Sequence, residues 1–173
     1  AICLTTMLLV IISTVGNGVI HLQKSQAAGS YGSNYGLFVS ADGSQLKEVN
    51  RRAEIDATGT MCTEGIIKGN EKGGFVCMDE TARKMLPYNK EYELKEGKYP
   101  GKTQEIAAGR AFFSEMGYDD VKVGDTVTLD YRAGMQSEYK PEEFVVSGIL
   151  YDRDEYTIEA SYVAFGSQEF YDE

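Results

Sequence analysis

The sequence predicts an α+β fold, in which an N-terminal transmembrane helix precedes a mixed, strand-rich domain with short helices. Three observations lead to this prediction. Residues 2–20 carry no charge, short apolar runs typical of strands outnumber helical patterns in the rest of the chain, and strands and helices do not alternate regularly. The 173 residues therefore divide into a helix over residues 1–24 and a single domain over residues 25–173.

The N-terminal segment has the length and polarity of a membrane span. Its centre, from Met7 to Ile12, is wholly apolar. A helix rises about 1.5 Å per residue, so residues 2–20 roughly match the hydrocarbon core of a bilayer, which is about 30 Å thick. Two alternatives stay open. The segment could be a cleaved signal peptide, since Ser25 to Ala27 resembles a cleavage site, or a buried helix of a soluble protein.

The first half of the domain follows a polar connection over residues 22–34. Short apolar runs indicate strands, and an apolar repeat of three or four residues indicates a helix. In chain order we expect a strand over 35–40, a helix from Ser44 to about Ala53, strands within 55–68 and over 75–78, and a helix that begins at Asp79 and ends before Pro87.

The second half begins with a polar loop over residues 95–104, which is rich in Gly, Pro and Lys. After this loop we expect a strand over 105–108, a helix over 110–116 that Gly117 terminates, an alternating strand segment over 121–131, a strand over 144–151, a last strand over 161–165 and the start of a helix at Gln168. The segment between residues 131 and 144 is expected to be a long polar loop.

Charge and composition exclude several functions. The formal net charge is −10, and such a surface repels nucleic acids. His21 is the only histidine and lies at the edge of the apolar segment, so the domain cannot contain a Ser-His-Asp or Cys-His arrangement. A phosphate-binding Gly-Lys-Ser/Thr loop is also missing. We therefore predict no catalytic residue, no metal site and no cofactor.

The cysteines leave one question open. Cys62 and Cys77 are separated by Gly-rich sequence, and Cys3 lies in the apolar segment. Outside the cytoplasm Cys62 and Cys77 could form a disulfide, but two buried thiols fit the spacing equally well, since spacing does not determine geometry.

Several motif residues between Leu94 and Tyr151 have a structural interpretation of their own. Gly97 and Pro100 predict a tight loop, and Glu105, just before a short buried strand, could bind the amides of that loop. Gly124 and Asp125 predict a turn. Gly148, inside a strand, predicts a bulge or a close approach of another backbone segment.

The order of these motifs resembles the extracytoplasmic domain of FtsX/MacB-like ABC-transporter permeases. Lys98 stands where that family usually has Arg. The resemblance covers nearly the whole chain, because in that family the first transmembrane helix leads directly into the external domain. The residues that match the family pattern, all in expected structural roles, are Glu96, Gly97, Pro100, Glu105, Ile106, Gly124, Asp125, Phe144 and Gly148.

The resemblance implies the extracytoplasmic portion of a permease subunit in the cell membrane. Such a subunit couples helix motion, driven by a cytoplasmic ATP-binding subunit, to export, release or mechanotransmission outside the membrane. It implies a second permease subunit or a homodimer, and an unknown peptide, lipid or accessory protein as the external partner. ATP hydrolysis is expected in the separate cytoplasmic partner, so the chain itself is not expected to be an enzyme.

Two other classes of function remain as alternatives. A membrane-anchored or secreted binding module would have no transport role and would not need the second membrane helix that a permease requires soon after Glu173. An extracytoplasmic enzyme would need a cleft that contains carboxyl groups with shifted pKa values.

Overall fold

The computed structural model describes residues 2–31, 36, 38–40, 42–85, 92–152 and 162–171. These residues belong to two compact units, one containing the N-terminal helix and the other the sheet. The elements in chain order are α1 (Ile2–Tyr31), α2 (Gly43–Val49), β1 (Met61–Ile67), β2 (Gly74–Met78), α3 (Glu80–Met85), β3 (Leu94–Gly97), β4 (Glu105–Gly109), α4 (Arg110–Glu115), β5 (Thr126–Arg132), β6 (Lys140–Leu150), β7 (Val163–Phe165) and α5 (Gln168–Tyr171).

Helix α1 confirms that the N-terminal segment is helical. It continues beyond Lys24 to Tyr31, through residues expected to form a polar connection. The side chains from Thr14 to Gln26 are exposed. Among the residues that the structure describes, no helix combines the length and the apolar character needed to cross a membrane. The membrane placement of α1 therefore stays a prediction.

The sheet confirms the α+β class. Within the described residues it has seven strands in the order β3-β6-β4-β7-β2-β1-β5, and β5 also pairs with β6. Six of these strands thus close into a ring, and β3 extends β6 outside it. The pairs β2–β7 and β4–β6 are parallel, whereas the other pairs are antiparallel. The eleven-residue strand β6 makes closure possible, because its first half pairs with β5 and its second half with β4 and β3.

The core of the sheet unit contains aromatic rings from four elements. Five ring contacts join Phe75 of β2, Tyr131 of β5, Phe144 of β6 and Phe170 of α5, with centroids 5.2–5.9 Å apart, and four of these contacts are edge-to-face. Such edge-to-face pairs contribute about 0.5–1.5 kcal/mol each beyond their buried area. The short helix α5 is therefore held to the sheet by Phe170, even though it has only four residues.

Two predictions in the first half of the domain were wrong. Of the strand expected over 35–40, residues 36 and 38 are irregular and residues 39–40 form a turn, and the remaining positions lie outside the described residues. Helix α2 is capped by Asp42 rather than Ser44, and it ends at Val49 rather than near Ala53. The Asp42 carboxylate accepts bonds from the amides of Ser44 and Gln45, and the Gln45 side chain bonds back to the Asp42 amide, so the capping box begins two residues earlier.

In the second half, strands replace parts of two expected loops. The polar loop begins as strand β3, and β6 begins at Lys140, so the last part of the expected loop between β5 and β6 is strand paired with β5. Conversely, the strand segment expected from Val121 onward begins only at Thr126, where β5 starts. Exposed polar strands have no apolar signal, and pairing with a neighbour decides their conformation. The other predicted strands and helices are present with shifted ends.

Candidate functional site

The motif residues converge where β3 and β4 flank the second half of β6. Gly97 of β3 lies opposite Gly148 of β6, and Glu105 at the start of β4 lies beside Val145. Segments distant in sequence thus meet at one end of β6. We call the loop over residues 98–104, which joins β3 to β4, the motif loop.

Gly97 and Gly148 permit a close approach of β3 to β6. Gly97 has a φ of +79°, and a side chain there would overlap the carbonyl oxygen of Ser147. A Cβ atom at Gly148 would lie 2.5 Å from the carbonyl oxygen of Lys98. The β4–β6 register also shifts next to Gly148, where it skips Ser147. The expected bulge and close backbone approach at Gly148 are therefore confirmed.

Glu105 organises the motif loop. Its Oε2 atom accepts hydrogen bonds from the amides of Gly101 (2.8 Å) and Lys102 (3.1 Å), and its Oε1 atom forms an ion pair with Lys98 Nζ at 3.1 Å. Burial by itself would raise the pKa of this carboxyl, but these bonds outweigh burial and lower it. The expectation that Glu105 binds the loop amides is confirmed.

Other elements also fix the motif loop. Tyr99 donates its hydroxyl proton to the Tyr92 carbonyl at 2.6 Å, and the Arg83 guanidinium of α3 lies 3.8 Å from the centre of the Tyr99 ring. The amide of Thr103 donates to the carboxylate of Glu169 in α5 at 3.1 Å. The loop is thus attached to α3, α5 and the segment before β3, which restricts its motion.

The remaining motif residues surround this region. Glu96 forms an ion pair with Arg110 at 3.1 Å, and Arg110 also donates to the Val121 carbonyl. Pro100 is half-buried in the loop. Ile106 and Phe144 are core positions and are fully buried.

The turn before β5 is bound to β6. Gly124 has a φ of +99°, and its amide donates to the Val146 carbonyl at 2.8 Å. The Val146 amide donates in turn to the Asp125 carbonyl, and the Asp125 carboxylate accepts from the amide of Lys122 at 2.9 Å. The predicted turn at Gly124 and Asp125 is therefore confirmed, and it extends the pairing of β5 with β6.

Sequence reasoning missed a buried carboxyl group at Glu64. This residue of β1 is 5% exposed, and within the described part of the chain neither carboxylate oxygen has a hydrogen-bond partner. Burial raises its pKa to about 8. Gly166 makes room for the carboxyl group, since a side chain at this position would overlap it. No sequence signal marks Glu64, because the bulge between Thr63 and Gly65 redirects its side chain.

Tyr131 links the backbone of Glu64 to the aromatic cluster. Its hydroxyl donates to the backbone carbonyl of Glu64 at 2.6 Å. Burial raises the pKa of Tyr131, and the charges of Glu64 and Glu142 raise it further. We call the environment of Glu64, Gly166 and Tyr131 the bulge site.

The structure places Cys62 and Cys77 directly opposite each other on β1 and β2, and both carry thiols. Cys62 is half-buried and Cys77 is 6% exposed. The Cys77 thiol donates to Oε1 of Gln168 in α5 at 3.3 Å.

No metal-binding group forms among the described residues, where three His, Cys, Asp or Glu side chains never come together in a suitable arrangement. A shallow open depression next to the turn before β5 is lined by Asp119, Asp120 and Asp125. Two of these side chains are already engaged locally, since Asp119 accepts from the Ser114 hydroxyl and Asp125 from the Lys122 amide. We therefore interpret this depression as the surface of two turns and not as a binding site.

Comparison with known proteins adds no identification. No model of a known protein family matches the chain, and a search of curated proteins finds no significant relative. The resemblance to FtsX/MacB-like permeases therefore stays a prediction.

Proposed function

We propose that this chain is the extracytoplasmic portion of an ABC-transporter permease subunit, with α1 in the membrane and the strand ring outside. The observation that carries the proposal is the convergence of the motif residues around the second half of β6. Gly97 and Glu105 lie at the two ends of the motif loop, and Gly148 is more than 40 residues further along the chain, yet β6 brings all three into one arrangement of β3, β4 and the motif loop. Independent motifs would have no physical reason to meet.

The contacts of this region suit a part that transmits force. Carboxylates of Glu105 and Glu169 bind three successive loop amides, and Tyr99 anchors the middle of the loop. A segment held at several points moves as one body with the strands that hold it. Helix α1 remains helical past Gly29 to Tyr31, so the chain that leaves the apolar segment is stiffer than its glycines indicate.

The proposed partners follow from this role. A cytoplasmic ATP-binding subunit would hydrolyse ATP, and a second permease subunit, identical or different, would complete the membrane assembly. The external domain would bind a peptide, a lipid or an accessory protein. The net charge of −10 disfavours nucleic acids as that partner.

Membrane anchoring by α1 is tested with charged substitutions. Ile11→Arg combined with Val15→Arg places two charges in the apolar segment, and each costs about 2.5–3.5 kcal/mol near the centre of a span. The matched control, Gln26→Arg, adds a charge in the polar part of α1. We expect the wild type and the control to stay in the membrane fraction after alkaline carbonate extraction, and the double variant to be released. Release of the wild type would contradict anchoring.

The permease assignment is tested separately by sequencing the reading frame beyond Glu173. A second apolar helix of about 20 residues soon after that position supports a permease. A stop codon or a polar continuation contradicts it and favours the membrane-anchored or secreted binding module. The two tests are independent, because an anchored module would pass the first and fail the second.

A further inference from the structure

Cys62 and Cys77 occupy a geometry that permits a covalent bond between β1 and β2. Directly opposed residues of an antiparallel pair have their side chains on the same face. The Asp79 amide donates a hydrogen bond to the Thr60 carbonyl, so Thr60 and Asp79 form a hydrogen-bonded pair. Hydrogen-bonded and non-hydrogen-bonded pairs alternate along an antiparallel ladder, so Cys62 and Cys77, two residues further on, are also a hydrogen-bonded pair. The Cα atoms of such a pair are about 5.5 Å apart, within the range of about 4.4–6.8 Å found for disulfides.

We propose that Cys62 and Cys77 form a reversible cross-strand disulfide. Opposed Cβ atoms are usually about 4.5–5.5 Å apart, whereas a disulfide needs about 3.8 Å, so the bond must draw the two strands together. The bulge between Thr63 and Gly65 lies beside the pair and increases the local twist, which allows this adjustment. The remaining strain makes the bond easier to reduce than a typical structural disulfide.

The burial of the two thiols sets the order of the reaction. Cys62 is half-buried and Cys77 is 6% exposed, so the Cys62 thiolate attacks an oxidant such as oxidised glutathione first. This step forms a mixed disulfide on Cys62 and releases one reduced glutathione. The Cys77 thiolate then attacks the Cys62 sulfur and releases the second. Two protein thiols are oxidised, one glutathione disulfide is reduced, and both thiol protons end on glutathione.

The disulfide changes a contact between β2 and α5. Cys77 donates its thiol proton to Gln168 at 3.3 Å, and oxidation removes that proton, so this contact must rearrange. The neighbouring residues of α5 contact two other regions, since Glu169 binds the motif loop and Phe170 belongs to the aromatic cluster. Oxidation of Cys77 therefore changes a contact of α5, the helix that contacts both the motif loop and the aromatic cluster. The proposal does not depend on a transport function and requires only an oxidising compartment.

The test compares pairing in the folded and the unfolded chain. The full chain carrying Cys3→Ser, kept in mild detergent, is equilibrated with reduced and oxidised glutathione at several ratios, both natively after refolding and in concentrated urea. Acid quenching, alkylation of remaining thiols and peptide mass analysis give the fraction of the Cys62–Cys77 bond. We expect the effective concentration of the two thiols for each other to be about tenfold higher in the folded chain.

Two controls carry Cys3→Ser together with Cys62→Ser or Cys77→Ser, and they should take up glutathione only as a mixed disulfide. An effective concentration in the folded chain equal to or below that in urea would overturn the proposal, because the native geometry would then oppose the bond. Separate glutathione adducts on both cysteines of the folded chain would overturn it as well.

Discussion

Two glutamates of the sheet unit, the half-buried Glu105 and the buried Glu64, have carboxyl groups whose pKa values shift in opposite directions. Glu105, in the motif loop region, accepts two amide bonds and an ion pair, and these lower its pKa despite burial. Glu64, in the bulge site, lacks a hydrogen-bond partner for its carboxylate within the described residues, and burial raises its pKa to about 8. Hydrogen bonds and an ion pair thus keep Glu105 charged at neutral pH, whereas burial favours the neutral form of Glu64.

The two regions contribute to stability in different ways. The motif loop region is stabilised by polar contacts that require glycines at close approaches and a charged carboxylate. The bulge site holds a carboxyl group that has no hydrogen-bond partner among the described residues, which is costly. This cost is tolerated because the raised pKa keeps the carboxyl neutral at neutral pH.

The largest effect is expected for the backbone geometry of the motif loop region. Gly97→Ala introduces a Cβ atom at a φ of +79° and against the Ser147 carbonyl, so we expect a loss of about 3–5 kcal/mol in the free energy of unfolding. Gly124, in the turn before β5, has a φ of +99°, and a Cβ atom there would meet no described atom within 4 Å. Gly124→Ala therefore introduces backbone strain alone and should cost about 1–2 kcal/mol. Urea unfolding at neutral pH measures both values.

Gly101→Ala is the matched control for this series. Gly101 lies in the motif loop, four residues after Gly97, and its Cβ atom would meet no described atom within 4 Å. We expect a change between zero and a gain of about 1 kcal/mol, because alanine restricts the unfolded chain. Equal losses for all three variants would contradict the geometric explanation.

The next effect concerns the bulge site and depends on pH. Since the pKa of Glu64 rises from 4.5 to about 8 on folding, the protonated form favours the folded state. The wild type should therefore lose stability as the pH rises from 4.5 to about 8, by up to about 1.4 kcal/mol per pH unit from this group. Glu64→Gln cannot ionise, so its stability relative to the wild type should increase by roughly 3 kcal/mol between pH 4.5 and 7.

The measurement is urea unfolding of both proteins from pH 4.5 to 8.5. The slope with pH is the informative quantity, because an amide without a partner imposes a cost of about 1–3 kcal/mol that does not vary with pH. The exposed Glu143→Gln provides the charge control, and its stability should parallel that of the wild type. A parallel curve for Glu64→Gln would show that Glu64 does not titrate in this window.

The smallest effect, of opposite sign, is expected at Glu105. Glu105→Gln weakens the bonds to the Gly101 and Lys102 amides and removes the ion pair with Lys98, which should cost about 1–3 kcal/mol at pH 7. The lowered pKa means that this stabilisation is fully present above the unfolded-state value of 4.5 and is lost as the pH falls below it.

The difference in the free energy of unfolding between the wild type and Glu105→Gln should therefore shrink in acid. The corresponding difference for Glu64→Gln should grow as the pH rises toward neutral. The same urea series, extended below pH 4, measures it, again with Glu143→Gln as control. A cost that stays constant down to pH 3 would indicate that packing rather than charge accounts for the role of Glu105.

The sequence by itself determined several features of this protein. The helical N-terminal segment, the α+β class and the roles of Glu105 and Gly124 followed from residues whose constraints are local. A glycine at a turn, a carboxylate near loop amides and a run of apolar residues each limit the backbone within a few positions.

The tertiary structure alone decided the features that depend on pairing between distant segments. Closure of the strand ring requires β6 to pair with β5 along one half and with β4 along the other, and no local pattern encodes that choice. The burial of Glu64 and the opposition of Cys62 and Cys77 also follow from the β1–β2 register and its bulge. A one-residue change of register would place these side chains elsewhere, so only the assembled sheet determines their chemistry.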